Sequence, residues 1–331
     1  MRHLSLGIFA LVTLVLEVLA SPNALGQDAK KVWKVGILWH AAGPEEEEVM
    51  FRPFVEGMRE LGYVEGRNLL LDQTYVDEYY ERFQARAQEL VDRQVDLILA
   101  SVPAAAAAAR RVTHTIPIVF ATSGDPVKLG LVESLGRPGG TLTGLSLFYP
   151  ELSTKHVEML HDLVPGLSRL AILWNPTNED TVVALKEAEH AAQRLKLQAV
   201  PVGVKGPEEF ADAFAAMTKA EVGGLIVLGD AMLRVNRKAI VALAASNRLP
   251  AVYGPQDYAE AGGLLAYGVK IPMNFRRAAT FVDKILKGAK PGDLPVEQPT
   301  RLHLTINLKT AQPLGLTMPL HRLMLADEVI K

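Results

Sequence analysis

The chain has no cysteine among its 331 residues. This absence excludes disulfide bonds, thiolate metal sites and a thiol nucleophile, and it removes the cysteine that a lipoprotein anchor requires. An excess of charge of one sign is also missing, because 35 Lys and Arg oppose 37 Asp and Glu and leave a net charge of −2. Such a balance lacks the electrostatic footprint of nucleic-acid binding. We therefore expect no nucleic-acid partner.

Motifs for catalysis and for cofactors are absent as well. The chain contains no GxGxxG, GxxxxGK[ST] or GxSxG pattern. Its eight histidines are scattered, and His156 and His161 are five residues apart, which places them on different faces of a helix. The acidic run from Glu45 to Glu48 falls in the first turn of a predicted helix, where we expect it to complement the helix dipole on a solvated face. We predict no enzyme activity, no metal and no cofactor.

Residues 1–26 have the build of a secretory signal peptide. MRH is a short basic head, LSLGIFALVTLVLEVLA is apolar apart from Glu17, and SPNALGQ supplies small residues for cleavage. The clean apolar core runs only from Leu4 to Leu16, which is shorter than the ~20 residues that cross a bilayer. We therefore predict a cleaved leader, a mature chain that begins near Gln27, and a periplasmic protein that is not a lipoprotein.

An internal repeat organises the rest of the chain. VGILWHAAGPEEE aligns with LAILWNPTNEDT, and further along IPIVFATSGD aligns with LPAVYGPQD. The offset stays nearly constant, at 135 residues between Trp39 and Trp174 and at 132 residues between Asp125 and Asp257. Each copy alternates strands with amphipathic helices, which is the pattern of parallel α/β architecture. The sequence therefore predicts two similar Rossmann-like α/β lobes with parallel sheets.

A ligand cleft between the lobes is expected from the positions of the polar loops. In open parallel sheets, ligands bind beyond the carboxyl ends of the strands. The loops that follow predicted strands are WHAAG, ASVPA, TSGDP, WNPTNED, LGDAM and YGPQD. The apolar segments GGTLTGLSLF and GGLLAYGVKI are predicted to cross between the lobes and to form a hinge. This organisation places lobe 1 in residues 31–148 plus about 264–290, and lobe 2 in residues 149–263 plus about 291–331.

Two kinds of loop feature bear on the ligand. Pro103 fits the first position of a helix whose alanine run leaves the first N–H groups open to an anion, although alanine packing explains the same residues. Asp125, Asp230 and Asp257 each follow a predicted strand and could offer a carboxylate to a ligand ammonium. Helix capping accounts equally well for Asp125, as the start of a short helix PVKLGLVESLG, and for Asp257 in a DYAE capping box. Acids opposite an anion-favouring helix end would suit a zwitterion such as an amino acid.

A family resemblance covers residues 31–330. In order and spacing, the motifs KVGILW, GYVEGRNL, IPIVFATSGDPVKLGLV, RPGGTLTG, AILWNP, AGGLLAYG and INLKTAQPLGLTMP resemble the substrate-binding component of ABC transporters, in the branch that includes binders of aromatic amino acids. The resemblance implies a type I periplasmic-binding-protein fold and a small-molecule ligand held between the lobes. It also implies an ABC transporter permease in the membrane as the partner. We expect the protein to act as a monomer.

The resemblance extends to individual positions of the cleft. Asp125 matches the family's DPV motif, and Asp257 matches the acid of the later loop. The chain departs from the family pattern at the VPAA that follows Ser101, and at the GDA around Asp230, where the family often has TDN. The predicted ligand-binding residues are Trp39, His40, Ser101, Pro103, Ala104, Ser123, Asp125, Asn175, Thr177, Asn178, Asp230, Tyr253, Gln256 and Asp257.

Other functional classes stay open at this level. A ligand-binding sensor without a transport role would share the fold, and a ligand-sensing transcription regulator would in addition need a DNA-binding module, whereas the N-terminal extension has the features of a leader. A secreted two-domain enzyme would need a nucleophile or a metal constellation, and none is evident in the sequence.

Overall fold

A computed structural model describes residues 31–122, 124–147 and 149–331. Within it, Trp33–Lys331 form one compact unit that contains two sheets. In chain order the strands are β1 (Trp33–Trp39), β2 (Leu69–Tyr75), β3 (Leu97–Ala100), β4 (Ile118–Phe120), β5 (Leu142–Gly144), β6 (Arg169–Trp174), β7 (Gln198–Gly203), β8 (Gly224–Val227), β9 (Ala251–Tyr253), β10 (Leu265–Gly268), β11 (His303–Asn307) and β12 (Glu328–Ile330).

Helices cover both faces of the two sheets. They are α1 (Pro44–Glu60), α2 (Phe83–Asp92), α3 (Pro103–Val112), α4 (Tyr149–Leu163), α5 (Glu179–Arg194), α6 (Phe210–Lys219), α7 (Ala231–Val235), α8 (Arg237–Ser246), α9 (Asp257–Glu260), α10 (Ile271–Leu286), α11 (Leu308–Ala311) and α12 (Leu320–Leu325). Short 3₁₀ turns occur at Tyr80–Arg82, Pro207–Glu209 and Pro291–Asp293.

The two sheets repeat one strand order. The first sheet runs β2-β1-β3-β4-β5 with all neighbours parallel. The second sheet has the corresponding order β7-β6-β8-β9-β10, again parallel, and continues with β11 antiparallel to β10 and β12 parallel to β11. This 2-1-3-4-5 order is a common doubly wound arrangement. The predicted pair of similar parallel α/β lobes is confirmed.

Strand composition explains why the sheets are buried on both faces. Every residue of β3, β4 and β8 is buried, as expected for parallel strands that carry helices on each side. On β1, Ile37 and Trp39 join the core shared with α1 and α10, whereas Leu38 joins the core on the other face. Gly57 of α1 lies against α10, because a Cβ there would be 2.8 Å from the carbonyl oxygen of Arg276. Helix α10 therefore packs closely on the first lobe although it follows the second lobe in the chain.

Three segments connect the lobes. The chain leaves the first sheet after β5, returns after β10 to form α10, and crosses again before β11. The first and third crossings pair with each other, since Ser146 N–H donates to the Glu297 carbonyl and Glu297 N–H donates to the Gly144 carbonyl. The lobe boundaries predicted from the sequence assign residues from about 264 to lobe 1, but β10 pairs with β9 in the second sheet. We therefore propose that lobe 1 comprises residues 33–146 and 269–297, and that lobe 2 comprises residues 149–268 and 303–330.

The prediction of a short helix after Asp125 is wrong. Residues 126–130 form consecutive hydrogen-bonded turns, in which Leu129 N–H donates to the Asp125 carbonyl at 3.0 Å. Gly130 then adopts a φ of 63°, a left-handed conformation that ends the coil after about one turn. The side chain of Asp125 nevertheless caps this turn, accepting from the N–H groups of Val127 and Lys128 at 3.1 and 3.0 Å.

Candidate functional site

The carboxyl ends of both sheets meet between the lobes. The loop after β4 touches the start of α5, where Gly124 N–H donates to Asp180 Oδ2 at 2.9 Å. The 3₁₀ turn after β2 touches the loop after β8, where the Tyr80 hydroxyl donates to Asp230 Oδ2 at 3.2 Å. These contacts join the lobes directly, so the cleft is nearly closed. A cavity of about 50 Å³ remains at its centre, and we call it the inner cavity.

Asp230 is the hub of the polar contacts beside the inner cavity. Its Oδ2 accepts hydrogen bonds from Asn178 Nδ2 at 2.9 Å, from Asn175 Nδ2 at 3.2 Å and from the Tyr80 hydroxyl. Its Oδ1 accepts from Leu233 N–H at 2.9 Å and so caps α7. The carboxylate is 6% exposed, and four donors compensate for its lost hydration. The structure thus brings the predicted residues Asn175, Asn178 and Asp230 together.

The loop after β6 positions the two asparagines. Asn175 Oδ1 accepts from the N–H and the hydroxyl of Thr177 at 3.0 and 2.7 Å, which fixes a tight turn after the strand. Asn178 Oδ1 accepts from Asp180 N–H at 3.0 Å and caps α5. Both amide Nδ2 groups therefore point toward Asp230. Thr177 is exposed at the outer side of this loop.

An ion-pair cluster beside the inner cavity was missed by the sequence reasoning. Arg234 lines the cavity with a side chain that is 10% exposed, and its Nη1 donates to Asp257 Oδ2 at 3.2 Å. Across the cleft, Arg234 Nη2 lies 3.7 Å from Oε2 of Glu47, whose side chain is 6% exposed. Burial raises the pKa of Glu47, and the Arg234 guanidinium opposes that increase. The expectation of a solvated face for the whole Glu45 to Glu48 run is thus wrong for Glu47.

The interpretation of Asp257 as a helix cap is wrong. Helix α9 begins at Asp257 itself, after Gln256 as the residue at the N-cap, and no side chain caps it. The Asp257 carboxylate lies between Arg234 Nη1 and Arg237 Nε, at 3.2 and 3.5 Å. It therefore holds the arginine that lines the cavity and does not itself line the cavity. Gln256 lies on the surface, where its Nε2 donates to Glu328 at 2.8 Å.

Asp180 is a second acid that the sequence reasoning did not select. It follows the cap of α5, lines the inner cavity and is 4% exposed. Burial raises the pKa of Asp180 to about 6, against the opposing effect of hydrogen bonds from the backbone N–H groups of Gly124 and Asp125. No local sequence signal distinguishes this carboxylate from the neighbouring Glu179, because its burial depends on the opposite lobe.

His40 is wholly buried at the end of β1. Its ring lies 4.8 Å from the Tyr80 ring and 6.3 Å from the Phe83 ring, centroid to centroid. Neither ring nitrogen has a hydrogen-bond partner among the described residues. Burial lowers the pKa of His40 to about 4, with Asp230 raising it and Arg234 lowering it. The imidazole is therefore neutral at neutral pH and packs behind Tyr80.

The start of α3 lines the inner cavity. Ser101, Val102 and Pro103 line the cavity, and α3 has no side-chain cap at its N-terminus. The Ser101 Oγ is buried and has no hydrogen-bond partner in the described part of the chain. The alanine run serves packing too, since Ala105 and the three alanines at 106, 108 and 109 are buried in the core.

Two predicted aromatic residues lie away from the cavity. Trp39 is 0% exposed, stacks on Phe275 at 5.2 Å between ring centroids, and donates from Nε1 to Gln73 at 2.9 Å. Tyr253 is 1% exposed and stacks on Tyr258 at 4.7 Å. Both are the last residue of a strand, and both point into a face of the sheet that helices cover. Ser123 lies outside the described residues.

A larger cavity of about 310 Å³ adjoins the inner one, and we call it the outer cavity. The two cavities share Pro103, Asn178 and Asp180 as lining residues. Residues of both lobes form the outer cavity, including Ala104 of α3 and Thr177 of the loop after β6. The predicted residues Ala104 and Thr177 are therefore placed around the outer and not the inner cavity.

None of the helices in the described part of the chain is both long enough and apolar enough to cross a membrane. Over the same ranges, no group of three or more His, Asp or Glu side chains is arranged to hold a metal ion.

Comparisons with known proteins place this geometry in a family. A tyrosine-binding protein of Clostridioides difficile (strain R20291) is 24% identical over 289 residues, which is 87% of this chain and 83% of that protein. A solved structure from Streptococcus pneumonia, described as an ABC domain in complex with L-Trp, is 25% identical, with a TM-score of 0.83 over 90% of this chain and 99% of that one. A conserved domain protein from Vibrio cholerae is also 25% identical, with a TM-score of 0.84 over 90% of this chain and 100% of that one.

The family model for "ABC transporter substrate binding protein" matches residues 34–330, nearly the whole of the described chain. The lobes, their strand order and the triple crossing are those of the type I periplasmic-binding-protein fold. The resemblance indicated by the motifs is thereby confirmed, and the chain belongs to the family of ABC transporter substrate-binding proteins.

Proposed function

We propose that this protein binds an amino acid or a related zwitterion between its lobes and delivers it to an ABC transporter permease. The observation that carries the proposal is the lining of the inner cavity. Carboxylates of Glu47, Asp180 and Asp230 surround it, and the uncapped N-terminus of α3 opens onto the same space. A ligand ammonium would be stabilised by the acids, and a ligand carboxylate by the helix N–H groups and by Arg234.

The names of the relatives agree with this ligand class. One relative is a tyrosine-binding protein, and another was solved with L-Trp bound. We propose an amino acid on the strength of those names together with the charges around the inner cavity. The proposed ligand contacts are Ser101, Pro103, Asn178, Asp180, Asp230 and Arg234, with Asn175 and Asp257 holding Asp230 and Arg234 in position.

The cellular role follows from the family and from the leader. We propose that residues 1–26 are removed and that the mature protein works as a monomer outside the cytoplasm, without enzyme activity. A transport role is favoured over free-standing sensing because the family model is that of transporter components. N-terminal sequencing of the secreted protein should give a first residue between Ser21 and Asp28. An intact Met1 in that material would contradict the processing.

Ser101 allows a test of the binding site that separates affinity from stability. Its hydroxyl is buried beside the cavity and makes no bond to the described protein, so Ser101→Ala should leave the unliganded melting temperature nearly unchanged. If the hydroxyl binds the ligand, affinity should fall by about 2-fold to 12-fold, the loss of one neutral hydrogen bond. Thr74→Val is the matched control, because Thr74 Oγ1 is also buried without a partner but lines neither cavity.

The ligand for this test is identified first. Native mass spectrometry of protein purified without refolding, followed by calorimetry with the proteinogenic amino acids, should show binding of one amino acid or a few related ones. If neither an amino acid nor a related zwitterion binds to the folded protein, the proposed ligand class is wrong. Equal affinities of wild type and Ser101→Ala would show that the Ser101 hydroxyl does not bind the ligand.

A further inference from the structure

The two ends of the outer cavity carry charges of opposite sign. Its inner end is acidic, because Asp180 and the adjacent Glu179 line it from α5 and Glu81 lines it beside Tyr80. Its other end is formed by Arg111 in the last turn of α3. Arg111 is exposed and makes no ion pair with any residue that the structure describes. A cation without a partner therefore closes the outer end of a space whose inner end is anionic.

The floor between these two ends is aliphatic. Ala104 and Ala107 of α3 are half-buried and line the outer cavity, and Leu129 and Leu131 complete this surface. The small side chains leave room along the helix. From Pro103 to Arg111 the helix rises by about 12 Å, at 1.5 Å per residue. The floor thus separates the charged ends by more than the size of one amino acid.

The volumes of the two cavities also favour a ligand that occupies both of them. Sites for small molecules usually enclose roughly 300–1,000 Å³. The inner cavity of about 50 Å³ is far smaller, whereas the outer cavity of about 310 Å³ reaches that range. A ligand whose head lies in the inner cavity must therefore extend into the outer cavity.

We propose that the protein binds short linear peptides of three residues, with the free amino terminus in the inner cavity and the free carboxylate at Arg111. The ammonium and carboxylate of a single amino acid lie on one carbon and cannot reach Asp230 and Arg111 together. A tripeptide extends over roughly 10 Å, which is close to the rise of about 12 Å from Pro103 to Arg111. This inference rests on the proposed function, because it uses the same inner cavity for the ammonium group.

Calorimetry with paired probes tests the proposal on the full mature protein. The probes are trialanine, L-tyrosyl-L-alanyl-L-alanine, the C-terminal amide of each, and free L-tyrosine and L-tryptophan. The free acids of the tripeptides should bind about 3-fold to 10-fold more tightly than their amides, the range for a charge pair at an exposed arginine. Arg111→Ala should abolish this ratio, and Arg110→Ala should preserve it, because Arg110 donates to the Gly130 carbonyl and does not line the outer cavity.

A second variant tests occupancy of the outer cavity. Ala107→Phe fills the space from a residue that is not in the core, so the fold should be retained while tripeptide binding falls more than tenfold. Binding of free amino acids without tripeptide binding would overturn the peptide inference and leave the proposed function standing. Equal affinities for acid and amide, or equal effects of the two arginine variants, would overturn it as well. Binding of neither class would overturn the proposed function together with the inference.

Discussion

The ion pair between Glu47 and Arg234 should control how readily the cleft closes. Glu47 belongs to α1 of lobe 1 and Arg234 to α7 of lobe 2, and both side chains are about nine-tenths buried. Opening the cleft separates these charges and returns them to water. Glu47→Gln keeps the shape of the side chain and removes its charge, so the variant isolates the electrostatic part of closure.

The expected magnitude follows from the distance and the surroundings. At 3.7 Å, and with an effective dielectric constant of about 20, two unit charges attract by about 4 kcal/mol. Dehydration of both groups offsets much of this attraction, and Asp257 still neutralises Arg234 in the variant. We expect a net loss of about 1–2 kcal/mol in closure, which lowers the ratio of closed to open molecules by about 5-fold to 30-fold.

The absence of cysteine makes closure simple to measure. One cysteine introduced on the surface of each lobe would carry the dyes, and energy transfer between them reports the distance between the lobes without ligand. Glu45→Gln is the matched control, because Glu45 lies in the same first turn and is exposed. An unchanged closed fraction in Glu47→Gln, or the same shift in Glu45→Gln, would refute the reasoning. A change in ligand affinity alone would show that Glu47 contacts the ligand and does not govern closure.

Three further outcomes are expected. Asp257→Asn should lower the melting temperature by several degrees, since it leaves the buried Arg234 with a weaker partner, and differential scanning calorimetry that shows no change would contradict this role. Asp180 and His40 should have opposite effects on stability between pH 4 and pH 6. The pKa of Asp180 is raised to about 6, so its contribution to stability is present at low pH and is lost as the pH rises through 6. The pKa of His40 is lowered to about 4, so its contribution is present above pH 6.5 and is lost as the pH falls toward 4. Asp180→Asn should therefore uncover a loss of about 1 kcal/mol per pH unit between pH 6 and pH 4 in urea titrations, and a flat profile would exclude it. Gly144→Ala should fail to fold or should lose several kcal/mol, because a Cβ there would be 2.0 Å from a carbonyl oxygen of β4; a native-like circular dichroism melt would argue against it.

Much of the fold and part of the site follow from local patterns. The repeat, the parallel sheets and the hub at Asp230 are predictable because an apolar run that ends in a polar loop fixes where a strand ends. Whether the last residue of a strand faces a cavity or the core is not predictable in this way. Trp39 and Tyr253 illustrate the difficulty, since a shift by one residue reverses the face and nothing in the run tells which face is covered.

Three residues of the site, Glu47, Arg234 and Asp180, were not predicted for a different reason. Glu47 lies in a run of glutamates and Arg234 in a short helix, and charged side chains at such positions ordinarily face solvent. They pair with each other across the cleft, so this contact joins residues almost 190 positions apart. Asp180 likewise contacts Gly124 across the cleft. The assignment of β10 to the second sheet likewise depends on pairing with β9 and β11, which an apolar segment does not specify by itself.

The position of α10 has a consequence for how the chain is made. The five strands of the first sheet are complete at Gly144, yet the helix that covers one of their faces ends only at Leu286. At the usual rate of synthesis this interval lasts roughly 7–30 s. Throughout it, Trp39 of β1 and Phe54 of α1 lack the apolar partners that α10 later supplies to their core. The first lobe therefore reaches its native packing only after most of the second lobe has been synthesised.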